Sequence, residues 1–262
     1  MKTEFRQLTD EEKLLLAEVI NESNIQIVNS RCKDVQFKET IYTKYIKRGL
    51  DIVFGGMALI IVTPVNLILM IATLIDVGKP VMFYQTRIGK DLVPFKFGKL
   101  RSMTNESDIN GNLLLAEDRV TKWGRFVRRS SLDELTNFWY VFTGKMSIIG
   151  PRPMPVEYLN RFSSRHIKRH LVKPGLECPL HNGDSEEMDW YNRFENDIWY
   201  VENISFMTDL KLIILLFKEA LFSKRKRTRG DAKVGTFLGY EDNGTIIDSH
   251  NCPQRYYAKI YG

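Results

Sequence analysis

Twenty-four consecutive residues without a charge, Ile52 to Ile75 (IVFGGMALIIVTPVNLILMIATLI), constrain this chain more than any other feature. A helix needs about 20 apolar residues to cross the hydrocarbon core of a bilayer, so the run is long enough to span one. Only Thr63, Asn66 and Thr73 are polar within it, and Pro64 stands at its centre. Proline removes a helical N–H and its ring crowds the preceding turn, so a kink or break is expected there, with Thr63 and Asn66 offering polar groups beside it. Flanking charge adds a second constraint. Lys44, Lys47 and Arg48 precede the run, and Lys79, Arg87 and Lys90 follow it, whereas a spanning helix concentrates Lys and Arg on the cytoplasmic side. Residues 41–79 are therefore read as a re-entrant membrane helix that breaks at Thr63-Pro64 and leaves by the face it entered. A straight spanning helix and a buried soluble helix stay open as alternatives.

The segments on either side carry ordinary folding signals. Thr9 and Glu12 form a capping box that opens an amphipathic helix within an N-terminal extension, 1–40, which packs on the body or on a partner. From Pro80 the pattern shifts to β-branched and aromatic runs, Val81 to Thr86 and Leu92 to Phe97, around Gly89, and predicts a β-hairpin. Asn105 to Glu117 reads as a polar loop. Ser131 and Glu134 form a second capping box, predicting a helix through Leu135, Phe138, Val141 and Phe142 that stops at Gly144. Leu210 to Phe222 is amphipathic enough to lie in a membrane interface. The last segment, 230–262, has turn signals and apolar residues but no recognisable role. The expected fold is α+β, mainly helical with a small antiparallel β-hairpin, held to the membrane by the Pro-broken re-entrant helix hairpin and by interfacial amphipathic helices.

Charge and cysteine content exclude some classes. The net charge is +6, but Lys224, Arg225, Lys226, Arg227 and Arg229 supply five of it, leaving +1 on the remainder. Such a local run suits anionic headgroups or a solvated tail, and a nucleic-acid partner is not expected, because that needs basic residues spread over a face. Three widely spaced cysteines, Cys32, Cys178 and Cys252, argue for a reducing compartment and against a disulfide framework. The first forty residues are too charged for a secretory signal.

The chemistry concentrates between residues 125 and 153. Asp133 and Glu134 are adjacent, with Arg125, Arg128 and Arg129 upstream and Arg152 held between Pro151 and Pro153 downstream. Arginine presents a planar fork to phosphate oxygens, and a carboxylate serves as nucleophile or metal ligand, so the set suggests phosphate chemistry. Capping alone accounts for Ser131 and Glu134. An acid in a first helical turn gains about 0.3–1 kcal/mol from the helix dipole, so Asp133 has both a structural and a catalytic reading.

A collinear series extends well beyond this stretch: Lys47-Arg48 with Asp51, Thr63-Pro64, Gly78-x-Pro80 through Phe83-x-Gln85-x-Arg87-x-Gly89, Lys99-x-Arg101, Asp118-Arg119-x-Thr121, Arg128-x-x-Ser131-Leu132-Asp133-Glu134-Leu135, Gly144-x-Met146-Ser147-x-x-Gly150-Pro151-Arg152-Pro153 and Pro174-Gly175. In order and spacing it resembles the bacterial sugar transferases, the monotopic phosphoglycosyl transferases, over roughly residues 42 to 222. The resemblance implies an enzyme with a catalytic domain over 80–229 at the cytoplasmic face of the bacterial inner membrane. It would move a sugar 1-phosphate from a UDP-sugar to polyprenyl (undecaprenyl) phosphate, release UMP through a phosphosugar-aspartyl intermediate, and so initiate glycan assembly. It further implies Asp133 as nucleophile, Glu134 with Asp133 as ligands of Mg²⁺, and Lys99, Arg101, Arg128 and Arg152 as phosphate-binding residues. Asp197 and Asp209 align with acidic positions that support the site. Membrane lipids are the remaining expected partner; sugar identity and oligomeric state are not legible.

Departures from the family pattern are few. Thr136-Asn137 replaces the usual Pro-Gln after the acid pair. Leu176-Glu177-Cys178-Pro179-Leu180-His181 replaces a Thr-Gly pair and Gln, and Asn182-Gly183-Asp184 lacks an Arg common in relatives. The altered 176–184 loop motivates the alternative of a catalytically silent membrane scaffold. Cys178-x-x-His181 has too few ligands for structural zinc. His166 and His170, at i and i+4, are read as surface or phosphate-adjacent residues.

Overall fold

The computed structural model describes residues 8–109, 111, 113, 114, 116–181, 189–222 and 235–261. Lys224 to Arg229, Asn182 to Asp184 and residues 230–234 lie outside them. Helix α1, Asp10–Ser30, starts as its capping box requires: the Thr9 N–H donates to Glu12 Oε2 at 2.8 Å, and the Glu12 N–H donates to Thr9 Oγ1 at 3.1 Å. Leu16, Ala17, Ile20, Asn24 and Val28 recur at helical spacing and form its buried face.

That face meets the other end of the chain. Strands β5 (Phe237–Tyr240) and β6 (Ile246–Asp248) pair antiparallel, and helix α8 (Gln254–Tyr261) follows. Leu16, Ala17 and Ile20 share one apolar cluster with Leu238, Ile247 and Tyr256. Asn24 Nδ2 donates to Tyr240 O at 2.8 Å and to Tyr256 Oη at 2.6 Å. The two terminal segments thus fold onto each other and dock on the body: Val28, Phe237, Tyr240 and Ile246 pack with Ile88, Met154, Phe162 and Phe194.

Helix α2 runs Lys47–Val77, preceded by a π-helical turn, Tyr42–Ile46. Pro64 sits inside it without ending it, and Thr63 Oγ1 donates to Leu59 O at 2.6 Å. Ile60, Ile61, Leu67, Ile68, Ile71 and Ile75 are exposed, which in a helix whose most apolar 18-residue stretch has a mean hydropathy of 2.5 is compatible with membrane association. Both of its ends are clasped by the body. Near the start, Arg48 donates to Val141 O and Phe142 O at 2.8 Å each, and the buried Asp51 accepts from Ser147 Oγ and the Ile148 N–H at 3.0 Å each. Near the end, Trp123 Nε1 donates to Thr73 Oγ1 at 3.1 Å, and Thr121 Oγ1 donates to Asp76 Oδ2 at 2.6 Å.

The expected hairpin forms as β1 (Met82–Ile88) and β2 (Pro94–Leu100), antiparallel across a 3-10 turn, Lys90–Leu92. Helices α3 (Ala116–Arg119) and α4 (Lys122–Arg129) follow, so the stretch expected as loop to Glu117 ends in helix. The second capping box does not form. Ser131 adopts a left-handed backbone (φ 57°, ψ 20°) with no side-chain cap, and a 3-10 helix, Leu132–Asn137, precedes the short α5, Phe138–Phe142. The sharp turn out of α4 removes the extended N-cap geometry that a capping box needs, and Glu134 is drawn to an arginine instead. Gly144, at φ +85°, ends the segment where expected.

Beyond the hairpin, the structure adds a parallel pair, β3 (Ser147–Ile149) and β4 (Gly175–Glu177). Gly150 and Gly175 abut there: a Cβ on Gly175 would lie 2.1 Å from Gly150 N. Glycine at these positions lets the Pro-Gly and Gly-Pro-Arg-Pro segments touch backbone to backbone. Helices α6 (Trp190–Asn203) and α7 (Phe206–Phe222) close the body, which is mainly helical with small two-stranded sheets. His166 and His170 are not surface residues. They lie on a 3-10 helix, His166–Leu171, and both are buried. With three residues per turn, positions i and i+4 do not share a face.

Candidate active site

The acid pair sits on the 3-10 helix after α4, with Asp133 4% exposed. Arg152 reaches Glu134 with both arms of its guanidinium: Nη1 donates to Oε2 at 3.1 Å, and Nη2 donates to Oε1. Pro151 and Pro153 flank Arg152 and fix the backbone on both sides. Burial alone would lower the Arg152 pKa, but the Glu134 charge and hydrogen bonds, with Glu177 and Asp133 beyond, leave it raised. This guanidinium is permanently charged.

Three more cations face the pair. Lys99, from β2, has its pKa lowered by burial first and by Arg128 and Arg87, while Asp133 and Glu134 pull it back upward. Arg128, from α4, donates Nε to Ser102 Oγ at 2.7 Å; burial lowers its pKa and Asp133 raises it. Arg87, from β1, donates to Pro153 O at 2.6 Å and to Gln85 Oε1 at 2.9 Å, and lies 5.1 Å over the Phe97 ring. Burial and the Arg152 charge bring its pKa down to about 10, against the pull of Glu134. Four cationic side chains therefore interact with the two carboxylates in a partly buried site, with Glu177 and Glu157 also near Arg152 and Arg87. Such a site favours a phosphate or diphosphate anion.

The remaining residues expected in the site lie elsewhere. Arg101 is buried and donates to the carbonyls of Val77, Gly78 and Lys79, so it caps the end of α2. Asp209 accepts from Tyr200 Oη at 2.6 Å, from Lys47 Nζ at 2.5 Å and from Tyr42 Oη, tying α7 to the start of α2. Asp197 is 2% exposed, and its Oδ2 lies 2.5 Å from Arg169 Nη2 as an ion contact not aligned as a hydrogen bond. Burial pushes the Asp197 carboxyl up to about 6, against the opposing pull of Arg169 and Arg193.

Two residues went unassigned in the sequence. Arg87 stands in the sequence only within a longer motif, although alternation along β1 puts it on the same face as Gln85. Arg169 gave no signal, because a lone arginine in a run with Arg165 and Lys168 reads as a solvated charge. His181 stacks on Trp199 at 4.0 Å and pairs with Asn196, so that imidazole is committed to packing. Among the described residues, no group of three or more His, Cys, Asp or Glu gathers at one point.

Comparison with known proteins places this geometry among relatives. A family model described as bacterial sugar transferase matches residues 42–223. The chain is 36% identical over 198 residues to the uncharacterized sugar transferase EpsL of Bacillus subtilis (strain 168), covering 75% of this chain and 98% of that protein. It is 37% identical over 188 residues to a UDP-glucose:undecaprenyl-phosphate glucose-1-phosphate transferase of Klebsiella pneumoniae, covering 68% and 40%. It is 33% identical over 183 residues to a UDP-N-acetylgalactosamine-undecaprenyl-phosphate N-acetylgalactosaminephosphotransferase of Aeromonas hydrophila, covering 66% and 42%. The chain thus spans almost all of the Bacillus relative and about two fifths of the other two.

Proposed function

This chain belongs to the bacterial sugar transferase family, and on that premise we propose that it transfers a sugar 1-phosphate from a UDP-sugar to undecaprenyl phosphate at the cytoplasmic membrane face. One observation carries the reading: Asp133 and Glu134 lie among Lys99, Arg87, Arg128 and Arg152. An Asp133 carboxylate oxygen attacks the β-phosphorus of the donor. The bond from that phosphorus to the bridging oxygen breaks, UMP leaves with the bridging oxygen, and a phosphosugar-aspartyl intermediate forms. An oxygen of the lipid phosphate then attacks the same phosphorus, freeing the Asp133 carboxylate and giving a lipid diphosphosugar. The cationic side chains hold phosphate oxygens and offset the charge that builds on them in both steps.

Asp133 and Glu134 supply hard oxygen donors of the type that suits Mg²⁺, and Arg152 engages both Glu134 oxygens. When bound there, the cation would neutralise substrate phosphate charge.

The geometry of α2 supports a re-entrant arrangement in the membrane. Thirty-one residues of helix are about 46 Å long if straight, which would put Arg48 and Asp76 on opposite sides of a core about 30 Å thick. Yet both ends are bound by the same body. Binding of both ends by one body supports the re-entrant reading over a spanning helix. Exposed Phe126, Trp139, Phe142, Phe206 and Phe217 suit the interface on which such a body rests. Cysteines placed at the exposed Lys44 and Lys79 should both react with a membrane-impermeant maleimide from the same side of oriented vesicles. Labelling from opposite sides would refute the re-entrant topology.

The activity is tested in nanodiscs with Mg²⁺ and a panel of UDP-sugars. UMP should be released in a burst stoichiometric with protein when lipid phosphate is absent, and continuously when it is present. Silence with every UDP-sugar would overturn the proposal in favour of a scaffold. The pH profile provides a second check. The Lys99 pKa is lowered in the free protein, so rising pH neutralises it earlier than an ordinary lysine. The profile of kcat/KM for the donor should therefore fall on its alkaline side before unperturbed lysines titrate, and Lys99→Arg should remove that limb.

A further inference from the structure

Arg169 is 1% exposed, and its guanidinium lies 5.7 Å from the Phe162 ring centroid and 5.3 Å from that of Phe194. Its Nη2 donates to the backbone carbonyl of Arg152 at 2.9 Å and contacts the Asp197 carboxylate. Nε and Nη1 have no hydrogen-bond partner among the described residues. Stability gives a poor account of this side chain, because a buried guanidinium with idle donors is costly, and an apolar residue of similar volume would fill the aromatic cage at less expense. What an apolar residue cannot do is hold the Arg152 carbonyl.

We propose that Arg169, with Asp197 as its counter-ion, is a positioning residue that fixes the Arg152 backbone so that its guanidinium stays forked on Glu134 and aimed at the donor phosphates. The proposal rests on the transferase reading for its kinetic consequence but not for its structural one. Pro151 and Pro153 restrict the backbone on either side of Arg152, and the Arg169 bond pins the carbonyl between them. The aromatic cage is completed from outside the matched family region: Phe237 of β5 stacks on Phe162 at 5.7 Å and meets Phe194 edge-on at 5.1 Å. The terminal segments therefore buttress the positioning residue, although they contribute none of the six charged side chains of the site.

Two readouts test this independently. In hydrogen exchange on the full chain, Arg169→Lys should speed exchange in the peptide spanning 148–156 by tenfold or more while leaving α1 unchanged, with no substrate present. Unchanged exchange there would overturn the proposal whatever the activity. In turnover, Arg169→Lys should lower kcat for UMP release about 100-fold with donor KM nearly constant, as expected for misplacement of about 1 Å at a distance from the chemistry. In an Arg152→Met background the same change should cost less than about threefold, because nothing remains to be positioned. Equal losses in both backgrounds would mark Arg169 as merely structural. Should Arg169→Lys fail to fold, Arg169→Met with Asp197→Asn removes both buried charges and serves for the same comparisons. A wild type that releases no UMP would refute the transferase reading, and the exchange measurement would still decide the role of Arg169.

Discussion

Asp133→Asn is expected to lower UMP release by about 10⁴-fold or more, and to abolish a phosphosugar adduct on the protein in intact mass spectrometry. Loss of a covalent nucleophile removes the reaction path itself, so it ranks among the largest single-residue effects on turnover. An amide is nearly isosteric with the carboxylate, and Asp133 is 4% exposed on a helix held by its neighbours, so the fold has little reason to change. Donor binding should behave in the opposite way. The substitution deletes one negative charge from a site with four cationic side chains, so UDP-sugar should bind as well as before or more tightly. The same deletion removes a charge that raises the pKa values of Lys99 and Arg128. Lys99 in the variant should therefore deprotonate at a lower pH than in the wild type, and donor binding should weaken earlier on the alkaline side. Retained turnover, or an adduct on a residue other than Asp133, would show that another group is the nucleophile.

How much of this was legible in the sequence depended on whether a residue acts through a local pattern or through the fold. The α1 capping box and the hairpin around Gly89 are written in adjacent residues, and both form. The Ser131–Glu134 box has the same pattern and fails, because a left-handed turn after α4 and the distant Arg152 decide the conformation there. The acid pair and its arginines are visible because adjacent carboxylates within a short stretch of Arg128 and Pro151-Arg152-Pro153 suggest phosphate chemistry. Lys99 and Arg128 do face them. Arg101 lies two residues from Lys99, and alternation alone would put both on one face; but β2 ends at Leu100, and Arg101 turns to the carbonyls at the end of α2, a capping role that charge could not reveal. The i, i+4 spacing of His166 and His170 misleads for a related reason, since it implies a helical period that the segment does not have. The docking of β5 and β6 on α1 was beyond sequence reasoning, because its contacts join residues more than two hundred positions apart.

The Arg152–Glu134 pair is expected to fail in two separable ways. Arg152→Met leaves Glu134, whose side chain is 15% exposed, without its fork, and should lower stability by about 2–3 kcal/mol, as for a mostly buried carboxylate that loses its partner. It should also reduce UMP release by about 10³-fold, because a guanidinium near the donor phosphates has gone. Arg152→Lys keeps the charge but replaces two parallel donors with a single point, so stability should recover in part while activity stays about 10²-fold down. Adding Glu134→Gln to Arg152→Met removes the charge that lost its fork. Chemical unfolding in detergent should then return most of the lost stability, while turnover stays at or below the level of the single variant. If stability and turnover instead recover together, the pair is scaffolding for the 3-10 helix that carries Asp133. Separate recovery means that Arg152 serves the substrate in addition to Glu134, which is the role its place among Arg87, Lys99 and Arg128 assigns to it.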